Sequence, residues 1–359
     1  MSNHVHIIAE AGVNHDGSVE DALRLVNAAA DCGADCVKFQ TFRADALVAA
    51  SAGKADYQKR TTDIAESQRD MLKRLELPLN AYAALAERAR ARNITFLSTA
   101  FDSLSLDFLI RTLKMSPIKV GSGEMTNAPM LLEIAKADCD IILSTGMATL
   151  DEVRDALSVL AFGYARRPEP PLRGNFAKAW KDPAVRAVLA RKVTLLHCTT
   201  EYPAPIEAAN LKAMDTLRDE FHLPCGYSDH TMGIETSVAA VARGAVMIEK
   251  HLTLDCRRTG PDHAASLEPK DFAEMVAHIR RVERTLGSGE KVPQPAEIPN
   301  IAIARKALVA AREIAKGEKF TAENLTAKRP AIGLAPILFW DMIGKQAGRA
   351  YHPDEAIEP

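Results

Sequence analysis

The sequence predicts a (β/α)8 barrel followed by a small β-rich C-terminal domain, and three observations carry that expectation. Eight short apolar runs punctuate the first 251 residues, and amphipathic helical patterns lie between them. Most runs end in a polar or ionisable group: Glu10, Lys38, Ser98, Lys119, Ser144, His197, Ser228, and Glu249 with Lys250 and His251. Parallel strands covered on both faces read as continuous hydrophobic segments, and barrel chemistry gathers where their C-terminal ends meet the following loops. The run ends are therefore read as one pocket.

The runs cover residues 6–9, 36–39, 94–97, 117–120, 141–143, 193–196, 224–227 and 245–248. Helical patterns cover 19–32, 79–92, 103–113, 129–137, 150–160, 211–221, 234–242 and 269–286. In the first of these Leu23, Val26 and Ala30 recur at three- and four-residue spacing, the periodicity of an amphipathic helix. Strand then helix, repeated, means a parallel sheet. An open doubly wound sheet would announce its nucleotide site with a glycine fingerprint after the first strand. Here that strand runs into Glu10-Ala-Gly-Val-Asn-His-Asp-Gly17, which lacks the GxGxxG spacing, and Gly121-Ser-Gly123 lacks the third glycine. The closed barrel is the expectation.

Length agrees, since 359 residues exceed the roughly 250 of a plain barrel. A formal net charge of -2 gives no electrostatic case for nucleic acid or an anionic membrane surface. No apolar stretch approaches the roughly 20 residues of a membrane span, and the N-terminus lacks a signal peptide's basic flank and apolar core, so a cytoplasmic location is expected. The six cysteines, Cys32, Cys36, Cys139, Cys198, Cys225 and Cys256, have no CxxC spacing and read mainly as small buried residues. A nucleophilic Cys198 beside His197 is disfavoured, because neighbours in a strand point to opposite faces.

Two irregular stretches divide the chain. Arg166 to Gly174 is Pro-rich and basic, and with a helical piece over 176–191 it lengthens the connection before the sixth strand, so 165–192 reads as a surface insertion. From Gly287 to Pro299 the chain is rich in Gly and Pro, a natural linker. The expected organisation is a barrel over 1–286, a linker over 287–300 and a small domain over 301–359. That domain carries a short strand at 306–310, a turn at Lys316-Gly317-Glu318 and the motif Thr326-Ala-Lys-Arg-Pro330. It is small enough to lean on the barrel or on a partner chain.

His230 and His251 follow the seventh and eighth runs. Adjacent barrel strands lie about 4.8 Å apart, so the two imidazoles can share one divalent cation and leave most of its coordination sphere open. That suits Mn2+, Mg2+ or Co2+ acting as a Lewis acid on a substrate oxygen; two hydrogen-bonded core histidines are the alternative. Lys38 and Lys119 end apolar strands, where a lysine is costly to bury unless it meets an anion or carries chemistry. With Ser122, Ser144 and the Gly121–Gly123 turn they can cradle a phosphate and a carboxylate; a Schiff base with a carbonyl substrate is the competing use. Two lysines match a polyanion, whereas a Schiff base needs one. Glu10 and Glu124 supply carboxylates for a cationic transition state or for proton transfer to water, or serve as salt-bridge partners.

The strings IIAEAGVNHDG, VKFQTF, FLSTAFD, GSGEMTNAPML, IILSTGMATL, LLHCTTEYPAP, GYSDHTMGIE, IEKHLTLD and GPDHAASLEP, in this order, resemble the sialic acid synthase family, the phosphoenolpyruvate-condensing N-acylneuraminate synthases. Ala304-Arg-Lys-Ala307 and Asn324-Leu-Thr-Ala-Lys-Arg-Pro330 look like that family's antifreeze-like (SAF) domain. The resemblance covers nearly the whole chain outside 165–192. It implies a barrel, a domain-swapped homodimer, and condensation of phosphoenolpyruvate with an N-acetylated amino sugar in its open-chain aldehyde form. By the same resemblance His230 and His251 fall on metal ligands, with Mn2+ as the expected ion. Lys38, Lys119, Ser122 and Ser144 fall on phosphoenolpyruvate-binding positions, and Glu10 and Glu124 on catalytic carboxylates. Gln40, Tyr202, Ser228 and Asp262 fall on positions that contact metal, water or sugar, and Arg329 on an arginine that reaches into the partner's site.

Within the family, Thr199-Thr200-Glu201-Tyr202 looks like the legionaminic acid synthase branch, whose substrate is 2,4-diacetamido-2,4,6-trideoxymannose. Synthases that use N-acetylmannosamine typically carry Asn where this chain has Thr200, and pseudaminic acid synthases tend to Ser-Ser-Tyr. An inactive sugar-binding protein fits poorly with both histidines, both lysines and both glutamates present; a Schiff-base aldolase barrel stays as a competitor.

Overall fold

Eight strands close into a parallel barrel in sequence order: β1 (His6–Gly12), β2 (Cys36–Thr41), β3 (Thr95–Ala100), β4 (Ile118–Val120), β5 (Ile141–Ser144), β6 (Val193–Cys198), β7 (Cys225–Asp229) and β8 (Met247–His251). In this computed structural model residues 4–63 and 65–358 are described, and the chain divides into two compact units, Met1–Gly287 and Ser288–Pro359. The expected barrel is borne out, each strand lying on its apolar run. β1, β3 and β8 each run three residues past their runs, to Gly12, Ala100 and His251.

Closure is parallel between β1 and β8, with Ile8 opposite Glu249 and Glu10 opposite His251. That register, with Glu10 opposite Lys38 and Ser228 opposite Glu249, decides which side chain of each strand end faces the barrel axis. Apolar residues of the strands fill the centre below, and the surrounding helices bury their apolar stripes against the outside, Ala22, Leu25, Val26 and Ala29 of Val19–Asp31 being typical. That helix starts at Ser18, whose side chain accepts from Asp21 N, the N-cap a serine supplies.

Three features depart from the sequence reading. The segment expected as a helix over 103–113 splits into an α-turn, Ser103–Asp107, and a π-turn, Phe108–Thr112. The stretch 165–192, largely exposed, is more than a loop: its helices Arg173–Trp180 and Pro183–Lys192 bury Ala179, Val185 and Leu189 in the main core. Phe176 and Trp180 pack edge-on against Phe162 and Phe221. Between β2 and Leu79–Ala91 the chain makes an excursion through three short helices, Ala44–Leu47, Asp56–Thr61 and Gln68–Leu75, which sequence reading left unassigned. Met71 and Leu75 of this excursion form a separate small core with Val13 and Phe42.

The second unit contains an antiparallel pair, β9 (Ala307–Ala310) and β10 (Leu325–Lys328), with a turn at Lys316-Gly317 as expected. Its own core holds Leu308, Ile314, Phe320, Leu325, Tyr351 and Ile357. Regular structure begins earlier than expected, in the helix Ile298–Ala304, which Pro299 can start because its missing N–H falls in the first turn. All six cysteines are unpaired, and Cys256 is exposed rather than buried. No helix among the described residues is long and apolar enough to cross a membrane.

The outer faces of β7 and β8 are joined by a fully buried ion pair, Lys250 Nζ to Asp229 Oδ2 at 3.0 Å. Asp229 also accepts from Thr231 N, Thr231 Oγ1 and Ser237 Oγ, and Lys250 Nζ donates to Thr231 O. Removing one partner of such a pair strands the other charge. Lys250→Met is expected to cost about 3–5 kcal/mol by urea denaturation; the double substitution with Asp229→Asn should recover part of that loss.

Candidate active site

The inward-facing residues at the C-terminal ends of β1, β2, β4 and β8 are Glu10, Lys38, Lys119 and Glu249, all buried. Lys38 Nζ lies 2.7 Å from Glu10 Oε2 and 3.6 Å from Glu249 Oε2, and Lys119 Nζ lies 3.5 Å from Glu249 Oε1. Lys38 donates to Thr99 Oγ1 at 3.3 Å, Ser228 Oγ donates to Glu249 Oε1 at 3.0 Å, and Gln40 Nε2 donates to Glu10 Oε1 at 3.3 Å. Two ammonium groups and two carboxyl groups thus share one water-poor floor.

Their surroundings separate the two carboxyls. Burial pushes Glu10 up to about 7, with Lys38 opposing and Glu249 adding to the rise. Burial acts on Glu249 in the same sense, but Lys119, Lys38 and the Ser228 hydroxyl outweigh it and hold that carboxylate at about 2. Lys38 stays above the ordinary lysine range because Glu10 and Glu249 overcome its desolvation, whereas burial draws Lys119 down. One carboxyl that exchanges its proton near neutrality beside one that stays ionised is an acid/base pair.

His230 and His251 stand at the ends of β7 and β8 with ring centroids 5.6 Å apart. His230 Nδ1 lies 2.6 Å from the Thr199 carbonyl, which can only accept, so the proton sits there and Nε2 presents its lone pair. His251 Nδ1 is buried with no hydrogen-bond partner. Burial lowers both imidazoles, His230 to about 4, and keeps them neutral. Two neutral imidazoles with ring nitrogens left over fit a divalent cation. A second group of donor atoms, on Asp255, Cys256 and Glu268, lies within 4.8 Å of one another. Asp255 there is gripped by the Arg257 guanidinium through both oxygens and held at about 2, so that loop already has its cation.

Tyr202 lies over the histidines, 4.2 Å from the His230 ring and 5.6 Å from His251, and Tyr57 of the excursion packs on Tyr202 at 5.0 Å. Asp262 Oδ2 lies 3.9 Å from His251 Nδ1, its carboxyl pushed up to about 6 by burial. Ser122 Oγ accepts from Gly146 N and touches Cys198 Sγ at 3.1 Å; Ser144 Oγ and Thr200 Oγ1 are buried without partners. Gly146 has no room for a side chain, since a Cβ there would stand 2.4 Å from Thr200 Oγ1 and 2.7 Å from Ser122 Oγ.

Of the residues singled out in the sequence, Glu10, Lys38, Gln40, Lys119, Ser122, Glu124, Ser144, Thr200, Tyr202, Ser228, His230, His251 and Asp262 all line one cavity of about 570 Å³. Arg329 belongs to the other unit, exposed just after β10. Glu124 is on the cavity wall, in the short helix Ser122–Glu124, and its carboxylate accepts from Asn127 Nδ2 at 2.7 Å. The carboxylate that meets both lysines is Glu249. Sequence reading put Glu249 at a strand end but gave it no role; the signal was its place two residues before His251, hence on the same face. Thr99 and Tyr57 were also missed, and Cys198, weighed only as a nucleophile, lines the cavity beside Ser122.

The NeuB family model matches residues 25–291 and the SAF domain model residues 305–359. The chain is 48% identical over 351 residues to an N,N'-diacetyllegionaminic acid synthase of Campylobacter jejuni, covering 98% of each chain. A Legionella pneumophila protein of the same name is 44% identical over 340 residues, covering 95% of this chain and 89% of that one. Among solved structures, an N-acetylneuraminic acid synthetase from Leptospira borgpetersenii in complex with citrate matches with a TM-score of 0.66 at 33% identity, over 84% of this chain and 91% of that one.

Glu10 gives a pH signature of the free protein. Its folded pKa lies above its unfolded value of 4.5, so the folded state holds the extra proton. The stability it contributes is complete below pH 4.5 and disappears as pH rises to about 7. Glu10→Gln should remove a pH dependence on the order of 3 kcal/mol across that window, read as the melting temperature against pH for both proteins.

Proposed function

The chain belongs to the NeuB family, and on that premise we propose that it is a phosphoenolpyruvate-dependent condensing synthase, a transferase that forms a C–C bond. Its sugar is the open-chain aldehyde of 2,4-diacetamido-2,4,6-trideoxymannose, and its products are N,N'-diacetyllegionaminate and inorganic phosphate. The observation that carries the reading is the convergence of Lys38, Lys119, Glu10, Glu249, His230 and His251 on one cavity. The choice of sugar is supported by the two legionaminic acid synthases at 44% and 48% identity, against 33% for the N-acetylneuraminic acid synthetase. Thr200 in place of Asn points the same way.

Lys38 and Lys119 bind the phosphate and carboxylate of phosphoenolpyruvate, ions that a buried ammonium pair favours. The unpartnered Ser144 hydroxyl and the Gly121–Gly123 turn supply further donors. C3 of the enol attacks the aldehyde carbon, and the aldehyde oxygen takes the displaced electron pair and the proton of the Glu10 carboxyl to become a hydroxyl. C2 is left as an oxocarbenium ion beside Glu249, whose carboxylate stays ionised and stabilises the positive charge. Water adds to C2 and gives its proton to Glu10 or Glu124. The resulting C2 hydroxyl passes its proton to the departing phosphate and becomes the ketone as the C–O bond breaks.

The imidazoles of His230 and His251 would hold a divalent cation, for which we favour Mn2+ over Mg2+ or Co2+, and which would supply Lewis-acid polarisation of the aldehyde oxygen. Gln40, Tyr202, Ser228 and Asp262 surround the sugar and the ligand sphere. We further propose that the enzyme acts in the cytoplasm as a domain-swapped homodimer, with Arg329 entering the partner's cavity to bind an acyl amide oxygen.

Phosphate release, measured with three amino sugars, tests the substrate. The trideoxy sugar should exceed N-acetylmannosamine and the pseudaminate precursor in kcat/KM. A clear preference for N-acetylmannosamine would reassign the chain to N-acetylneuraminate synthesis. Chelation by EDTA should abolish turnover and added Mn2+ restore it, while His230→Ala keeps the fold and loses activity.

With ¹⁸O in the bridging position of phosphoenolpyruvate, the label should leave in phosphate. Label retained in the sugar acid would refute C–O cleavage. Borohydride with pyruvate should trap no adduct on Lys38 or Lys119, as a Schiff-base aldolase would.

A further inference from the structure

We propose that the excursion after β2 is the element that selects the sugar, its residues Val48, Ala49 and Ala52 forming an apolar wall that receives the C6 methyl group of a 6-deoxy sugar. The inference rests on the substrate reading above and adds a determinant to it. The cavity floor holds both lysines with the Glu10 and Glu249 carboxyls, and Glu124 and Asp262 add carboxyls on its sides. Along β2 it passes from Lys38 to Gln40 and then, beyond Thr41, to Leu47, Val48, Ala49 and Ala52, with Met71 and Leu72 also lining it. Strands rise about 3.3 Å per residue, so Thr41, where β2 ends and the excursion begins, stands on the order of 10 Å along the strand from Lys38. On the substrate reading the aldehyde lies at the histidine pair and the far end of the six-carbon chain points out of the cavity, toward this lining.

The polar groups at this end are the Gln58 and Gln68 amides and the phenol of Tyr57, which packs on Tyr202. Gln58 spends its Oε1 on Ala55 N at 3.0 Å, and Gln68 offers an amide suited to an acetamido group. A hydroxyl at C6 facing Val48 and Ala52 would lose water without gaining a partner, whereas a methyl there gains by leaving water.

The wall is held in place before any sugar arrives. Lys54, buried although charged, donates to Thr62 Oγ1 at 3.0 Å, Asp63 O at 2.7 Å and Glu66 Oε2 at 3.2 Å, which closes the loop on itself. Arg60 reaches Glu201 at 2.6 Å and Tyr57 packs on Tyr202, so the excursion spans from β2 to the loop after β6. Preformed walls lower the ordering cost of binding.

The test compares two sugars that differ only at C6, 2,4-diacetamido-2,4,6-trideoxymannose and its 6-hydroxy counterpart, in the wild-type protein and in Val48→Thr and Ala52→Ser. Val48 and Ala52 are partly exposed, so the two substitutions leave the core intact. The wild type should prefer the deoxy sugar by about 100-fold in kcat/KM, near the limit for rejecting an added hydroxyl. Each substitution should shrink that ratio roughly 10-fold through KM for the sugar, leaving KM for phosphoenolpyruvate unchanged. A deoxy preference that neither substitution alters, or an equal loss with both sugars, overturns the wall alone. A wild-type preference for N-acetylmannosamine overturns the substrate reading and the wall with it.

Discussion

Charge buried inside the barrel is the constraint from which the rest follows. Lysine and glutamate side chains lose their hydration at the floor of this cavity, and only their mutual neutralisation makes that tolerable. Glu10, Lys38, Lys119 and Glu249 come from β1, β2, β4 and β8, so the arrangement exists only when the barrel is closed and in register. A one-residue slip of β8 would turn Glu249 and His251 outward and bring Lys250 in. Fold and site therefore specify each other.

Much of this was legible in the sequence for a simple reason. A lysine ending an apolar strand has few explanations, which is why Lys38 and Lys119 stood out, and histidines on neighbouring strands are drawn together by strand spacing. Glu249 was harder. It sits in a run of three ionisable residues, Glu249, Lys250 and His251, and only the alternation of the closed barrel separates the inner pair from the outer lysine that binds Asp229. Gln40, Tyr202 and Asp262 lie in loops or at strand ends where periodicity says nothing of their role, and they entered through family resemblance.

The excursion after β2 and the helices before β6 escaped for another reason. Asp56–Thr61 and Gln68–Leu75 are short and mostly polar, so neither shows a long apolar stripe. Arg173–Trp180 and Pro183–Lys192 are dominated by alanine and basic residues, and their buried faces are read only from what covers them. Proline and arginine at 166–174 suggested a loop on the surface, yet Trp180 and Phe176 after it anchor the segment to the barrel.

The excursion leaves and rejoins the barrel within a single strand-to-helix connection, and it carries a satellite core of Val13, Phe42, Met71 and Leu75 apart from the main one. The catalytic floor lies on strands that this segment does not form. A lineage that exchanged the segment between 42 and 79 for a differently lined one would change the sugar it accepts while inheriting the condensation chemistry intact. Diversification of nine-carbon sugar acids on this scaffold then needs no reinvention of the reaction, only the grafting of one connection.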